Sequence, residues 1–174
     1  MNKESVIAFF DKCAPCWNER NTHNPAVINK ILDYAGVGKN TVVLDVACGT
    51  GVLFDYCTER GVTDVTAIDI SPEMGKKAKE KYTEINVLCG DAGEYSFGKK
   101  FDCIVVYNAF PHFVDVEKVL KNLSSHLNSG GRLTIAHGSS REDIIKCHLG
   151  EAKNVSALLP TADELAELMG EYLL

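Results

Sequence analysis

The sequence predicts an α/β fold, a doubly wound and mainly parallel sheet with helices on both faces. Three observations predict it. Five short runs rich in Val, Ile and Leu recur along the chain, and helical patterns with cap signals separate them. The runs are nearly continuous in apolar residues rather than alternating, which marks strands buried on both faces. Parallel strands joined by right-handed crossovers then wind the sheet in both directions. The 174 residues leave room for one domain.

Each element has its own signal. Residues 4–13 and 25–35 read as two helices; Asn24 caps the second, Pro25 fits its first turn and Gly36 stops it. Residues 14–24, with Pro15 and Trp17, read as a loop. Thr41–Val46 is the first strand, and the turn Ala47-Cys48-Gly49-Thr50-Gly51 follows it. A helix over Val52–Arg60 ends at Gly61, and residues 64–70 form the second strand. Ser71-Pro72-Glu73 supplies a cap, a first-turn proline and a first-turn acid for a helix to about Tyr82. Residues 85–90 and 101–107 are the third and fourth strands. Asp115 caps a helix to Leu127, with Ser129-Gly130 as its stop, and residues 131–137 are the fifth strand. A polar segment with a short helix follows. Thr161 and Glu164 then form a capping box for a last helix reaching Leu174.

Composition excludes several classes. Lys and Arg total 18 against 24 Asp and Glu, a net charge of -6, which disfavours nucleic acid as a partner. No apolar run is long enough to span a membrane, and no secretory leader pattern opens the chain. The seven cysteines are odd in number and sit mostly in apolar patterns, as for reduced thiols of a cytoplasmic protein. Cys13-Ala-Pro-Cys16 has no second such pair at ligand spacing, so no metal site is expected.

Sheets of this class bind ligands outside the carboxyl ends of their strands. Glycines after the first strand, Gly49 and Gly51, let the backbone turn tightly and approach a ligand. The second strand ends in Asp69, 18 positions beyond Gly51, where an acid accepts from ribose hydroxyls. The third ends in Gly90-Asp91-Ala92, where an acid can accept from an adenine amine. Each alone has a bland reading, as a bare turn, a solvated strand end or a turn former. Together, at the ends of successive strands, they point to a nucleotide-type ligand. A dinucleotide fingerprint would want a third glycine where Phe54 stands, and no P-loop motif is present. Asp45, four residues before Gly49, suits a ligand with a cationic end better than a pyrophosphate.

Leu44-Asp-Val-Ala-Cys-Gly-Thr-Gly51 resembles motif I of the class I S-adenosylmethionine-dependent methyltransferases. Ala67-Ile-Asp-Ile-Ser-Pro-Glu-Met74, Gly90-Asp-Ala92, Phe101–Val106 and Leu127–Leu133 are similar to that family's later motifs, in order. The resemblance implies a Rossmann-like sheet of order 3-2-1-4-5 and S-adenosylmethionine as cofactor. It implies that Gly49 and Gly51 flank the methionine and ribose moieties, and that Asp45 helps hold the cofactor's amino group. It gives Asp69 the ribose hydroxyls, Ile70 and the pair Asp91 and Ala92 the adenine, and Asn108 the methyl-transfer region. Ala47, Cys48 and Met74 complete the cofactor-binding set, with Ala47 standing where many members have glycine. The domain plan implied is a single methyltransferase domain over 1–174. In it, 1–38 is an N-terminal helical lid, 40–137 the cofactor-binding core and 138–174 a C-terminal cap and helix. Family members continue with antiparallel strands 6 and 7, for which no residues remain here. The fifth strand is then an edge for a second subunit of a homodimer to cover.

The function implied is methyl transfer to a small-molecule acceptor by in-line displacement. A nicotinamide-dependent oxidoreductase and a non-catalytic module binding S-adenosylmethionine are the rival readings. A general base is needed only where the acceptor must lose a proton. His112 and His137, each just beyond a strand, are the candidates. His126 and His148 lie on predicted helices as surface or packing residues, Tyr107 reads as core, and Lys76–Lys81 as a solvated helix face. Trp17 has two readings, a cover over the pocket or a core residue.

Overall fold

The hydroxyl of Thr41 closes a turn on the Gly38 carbonyl, and Val42–Val46 (β1) then enters the middle of a five-stranded sheet. The computed structural model describes residues 1–172. β1 pairs in parallel with Asp64–Asp69 (β2) on one side and Phe101–Tyr107 (β4) on the other. Asn86–Cys89 (β3) lies beyond β2, and Leu127–Ala136 (β5) beyond β4, also parallel. The order is β3-β2-β1-β4-β5, as expected. It reverses between β1 and β4, which opens a crevice where their carboxyl ends part.

Residue alternation along the strands assigns the helices to the two faces. Val43, Cys103 and Val105 share one face with Ile28 and Leu32 of α3 (Pro25–Ala35) and Cys57 of α4 (Phe54–Glu59). Ala67 and Val87 extend that face to Ala78 of α5 (Pro72–Lys81). Leu44, Val46, Ile104 and Val106 face the other way, onto Leu120 and Leu123 of α6 (Val116–Ser125). Ile144 of α7 (Arg141–His148) joins that second core, with Leu165 and Leu168 of α8 (Ala162–Gly170) against its rim. The caps expected at Asn24, Ser71, Asp115 and Thr161 each accept a hydrogen bond from the first turn of their helix. Among the described residues, no helix is long and apolar enough to cross a membrane.

Three expectations are corrected. Residues 14–20 are not a loop. The helix α1 (Lys3–Cys13) runs into a 3-10 turn at Ala14–Cys16 and a one-turn helix, α2 (Trp17–Arg20). Pro15 tolerates this because it sits in the first turn, where its missing N–H costs no helical bond. Second, α6 ends at Ser125, and Ser129-Gly130 is not a helix stop but part of a break in β5. The pairing jumps from Phe101 with Leu127 to Cys103 with Arg132. Asp102 pins that break, accepting from Asn128 Nδ2 at 2.7 Å and from Val42 N at 2.8 Å. Third, α8 ends at Gly170, and the expected helix end at Leu174 lies outside the described residues.

Candidate active site

The turn after β1 uses the left-handed backbone region three times, at Ala47 (φ 56°), Gly49 (φ 56°) and Gly51 (φ 88°). Asp69 holds the turn down. Its Oδ2 accepts from Gly49 N at 2.7 Å, and its Oδ1 accepts from Ser71 N at 2.8 Å. One carboxylate therefore fixes both the glycine turn and the start of α5. Burial raises the Asp69 pKa to about 6, and the two backbone N–H groups pull against that rise. Asp45 lies deeper. Burial and the nearby Asp69 hold its carboxyl well above the usual range, and its Oδ2 has no hydrogen-bond partner. Gly51 is required for a second reason. A Cβ there would stand 2.6 Å from the Phe54 ring.

Asp91 follows β3, and its Oδ1 accepts from Gly93 N at 2.7 Å. Its other oxygen is paired with Lys3 of α1, which also reaches Glu94 at 3.0 Å. At the end of β4, Asn108 is itself left-handed (φ 55°) and accepts from Gly138 N at 2.7 Å, tying β4 to the chain leaving β5. The N-terminal segment crosses above these strand ends. Asp11 accepts from Ser71 Oγ at 2.5 Å, and Thr50 donates to Asn18 at 2.6 Å.

A cavity of about 590 Å³ lies in the crevice, a size suited to small-molecule ligands. Ala47, Cys48, Gly49, Asp69, Ile70, Asp91, Ala92, Asn108, His112 and His137 all line it. Asp45, Gly51 and Met74 do not reach it. Asp45 is buried behind the turn, Gly51 is packed under Phe54, and Met74 is buried at the start of α5. Trp17 and Phe10 border the cavity with their rings 5.7 Å apart, so Trp17 sits in the cavity wall.

Two groups of that wall escaped the sequence reading, and a third took one of its two expected roles. His148, expected as a surface or packing residue, packs: its ring lies 4.9 Å from that of His112. The signal was present in α7, where Ile144 and His148 are four apart and so share one face. Tyr107 is core as expected, yet its hydroxyl meets His23 Nδ1 at 3.3 Å at the cavity. The other is Lys3, whose pairing with Asp91 spans about half of the chain in sequence and leaves no local trace. His126 packs against Phe97, as expected.

Burial holds His112 at about 4 and His137 at about 4, with the neighbouring histidines adding to the effect. Both are neutral at physiological pH. Among the described residues, no group of three His, Cys, Asp or Glu side chains is placed to hold a metal ion.

A glycine turn clamped by one strand-end acid, with a second acid beside it, defines a sheet protein built around a nucleotide-type ligand. Residues 43–131 match the family described as "Methyltransferase domain". The chain therefore belongs to the class I S-adenosylmethionine-dependent methyltransferase family. Over 106 residues it is 32% identical to the malonyl-[acyl-carrier protein] O-methyltransferase of Priestia megaterium, covering 58% of this chain and 39% of the relative. Over 143 residues it is 28% identical to the ubiquinone biosynthesis O-methyltransferase of Coxiella burnetii, covering 76% and 61%. Its fold matches a methyltransferase of Haloferax volcanii, solved in complex with the Trm112 methyltransferase activator. There the TM-score is 0.80 at 20% identity, over 94% of this chain and 75% of that one. The chain thus spans less than two thirds of the length of these curated relatives.

Proposed function

We propose that this chain transfers a methyl group from S-adenosylmethionine to a small-molecule acceptor. The observation that carries the reading is Asp69 clamping the glycine turn beside Asp91, in one cavity with His112 and His137. The residues present fit the cofactor. The turn from Ala47 to Leu53 carries no Lys or Arg, while Asp45, Asp69 and Asp91 surround it with acids. A buried Asp45 oxygen without a partner suits a cationic amino group reached through water.

In this reading Asp69 receives the ribose hydroxyls, Ile70 packs on the adenine, and Asp91 with Ala92 takes its edge. Ala47, Cys48 and Gly49 border the methionine and ribose, while Gly51 and Met74 shape the site from behind the wall. Asn108 faces the methyl-transfer region. When bound, the cofactor supplies an electrophilic methyl on a sulfonium with a good leaving group. The chain's own task is to align the acceptor and exclude water. Trp17, Phe10 and α1 serve that second need from above the strand ends. The named acceptors of the two curated relatives differ from each other, so neither is carried over. The acidic charge balance supports an acceptor other than nucleic acid, the free cysteines fit a cytoplasmic protein, and the edge of β5 is the surface for a homodimer.

Calorimetry with S-adenosylmethionine, S-adenosylhomocysteine and NAD tests the reading. The two sulfur compounds are expected to bind and NAD is not. Binding of NAD alone overturns the proposal and favours the oxidoreductase.

A further inference from the structure

Besides the cofactor residues and His23, which meets the Tyr107 hydroxyl, the cavity holds three imidazoles from three separate segments: His112, His137 and His148. The protein settles the tautomer of the first. His112 Nδ1 lies 2.8 Å from the Val155 carbonyl oxygen. A carbonyl only accepts, so Nδ1 carries the hydrogen and Nε2 is left with a free lone pair. The rings of Phe10 and His148 stand edge-on to His112, each 4.9 Å away, and fix its plane. His137 adds a buried Nε2 without a partner, a donor or an acceptor according to its tautomer.

The cluster is uncharged. Burial and the neighbouring imidazoles depress His112 and His137, and burial depresses His148; no carboxylate or cation shifts any of the three. Arg20, Asp143 and Glu151 also border the cavity, but all three are exposed to solvent. A carboxylate acceptor would lose its hydration here without gaining a buried cation, and an ammonium would lose its own without a buried acid. A neutral group that donates a hydrogen bond meets the free lone pair of His112 Nε2, and Phe10, Trp17 and Ile144 supply apolar wall for its frame.

We infer that the acceptor is an uncharged O–H compound on an apolar frame, a phenol or an enol, and that Nε2 of His112 takes its proton; this rests on the methyl-transfer reading above. The acceptor oxygen forms its bond to the methyl carbon as the carbon–sulfur bond breaks, and that bond's electron pair stays on sulfur. The O–H proton passes to Nε2, leaving a neutral methyl ether and an imidazolium that releases the proton to water. The oxygen's proton turns strongly acidic only as the new C–O bond forms, so a weakly basic imidazole suffices at that moment.

The test uses the intact chain with S-adenosylmethionine carrying a tritiated methyl. The probes are three phenols (catechol, 4-methylcatechol and 2-naphthol), phenethylamine and phenylacetate. Methylated product is counted, and probe binding is read by saturation-transfer NMR with S-adenosylhomocysteine present. At least one phenol is expected to bind and be methylated, and the amine and the acid are not. His112→Asn keeps an N–H for the Val155 oxygen but lacks the base. It is expected to lower kcat about 100-fold or more, with KM and S-adenosylhomocysteine affinity within about threefold of the unaltered chain. Methylation of the amine or the acid in preference overturns the inference. So does S-adenosylhomocysteine binding with no phenol bound or methylated, or a His112→Asn variant with unaltered kcat. The probe ranking is read on the unaltered chain and does not depend on the variant folding. Failure of that chain to bind S-adenosylhomocysteine overturns the methyl-transfer reading itself, and calorimetry shows that outcome apart from the others.

Discussion

The two halves of the cavity are built on opposite principles. The wall around the β1 turn is made of backbone and carboxylates. Asp69 is buried and bonded twice to N–H groups, within 20 residues of its partners along the chain. The wall around His112 is made of neutral rings, and its ties run between distant segments. Val155 reaches His112 across 43 positions, and His23 reaches Tyr107 across 84. The first wall offers fixed charge to a ligand of fixed shape. The second offers shape and lone pairs, which depend on how residues 138–160 settle over β4.

That contrast can be broken or sharpened by substitution. The largest effect is expected for Asp69→Ala, which frees the Gly49 turn and the start of α5 together. Cofactor affinity should fall about 30-fold or more, some 2 kcal/mol or above, in calorimetry; affinity within threefold would show that Asp69 is not the clamp. Gly51→Ala comes next, because it adds both positive-φ strain and a clash with Phe54. A loss of about 2–3 kcal/mol in chemical unfolding is expected. An unchanged midpoint would mean that Phe54 swings away freely.

The histidine wall should respond in the other direction. His137→Phe removes a buried nitrogen that has no partner. Stability should be retained or rise by about 1 kcal/mol, visible as a higher melting temperature, and a clear drop would reveal a partner for Nε2. The pH dependence follows from the same burial. His112 and His137 are depressed below the ordinary histidine value, to about 4 each. The unfolded chain therefore binds protons first as the pH falls, and stability that is full above about 6.5 is lost progressively toward about 4. The raised carboxyls of Asp69 and Asp45 act in the opposite sense over the same window, so the check is a difference between chains: in melting curves the unaltered chain should lose stability relative to His137→Phe as the pH falls from about 6.5 to about 4. The smallest effect is expected for Lys3→Ala. Its pairs with Asp91 and Glu94 are partly exposed, so stability should change by less than about 1 kcal/mol and less still in high salt.

The same contrast explains what the sequence revealed. The strands and the β1 turn were legible because each depends on local signals: apolar runs, caps, and glycines at strand ends; the order of the strands came only with the resemblance to a known family. Asp69 and Asp91 could be placed because they end strands that could be read. The spacing of His148 from Ile144 gives its face of α7, but its neighbour could not be read, because that depends on where α7 lands beside the 3-10 turn at Phe110–His112. The break in β5 was misread for a related reason. Ser129-Gly130 carries an ordinary stop signal, and only the reach of Asp102 to Asn128 turns it into a bulge.

That bulge bears on how the protein survives crowding. β5 is the outer strand of the sheet, a row of unpaired backbone groups that invites another chain to add on. Looping out residues 128–131 spoils the first part of the row, since ladder pairing resumes only at Arg132. Gly130, at φ 77°, gives the loop a curvature that a straight incoming strand cannot follow. Only Arg132–Ala136 is left as a template, and it opens with a charged side chain. Among the described residues, the strand is thus short enough on its outer side to discourage runaway polymerisation.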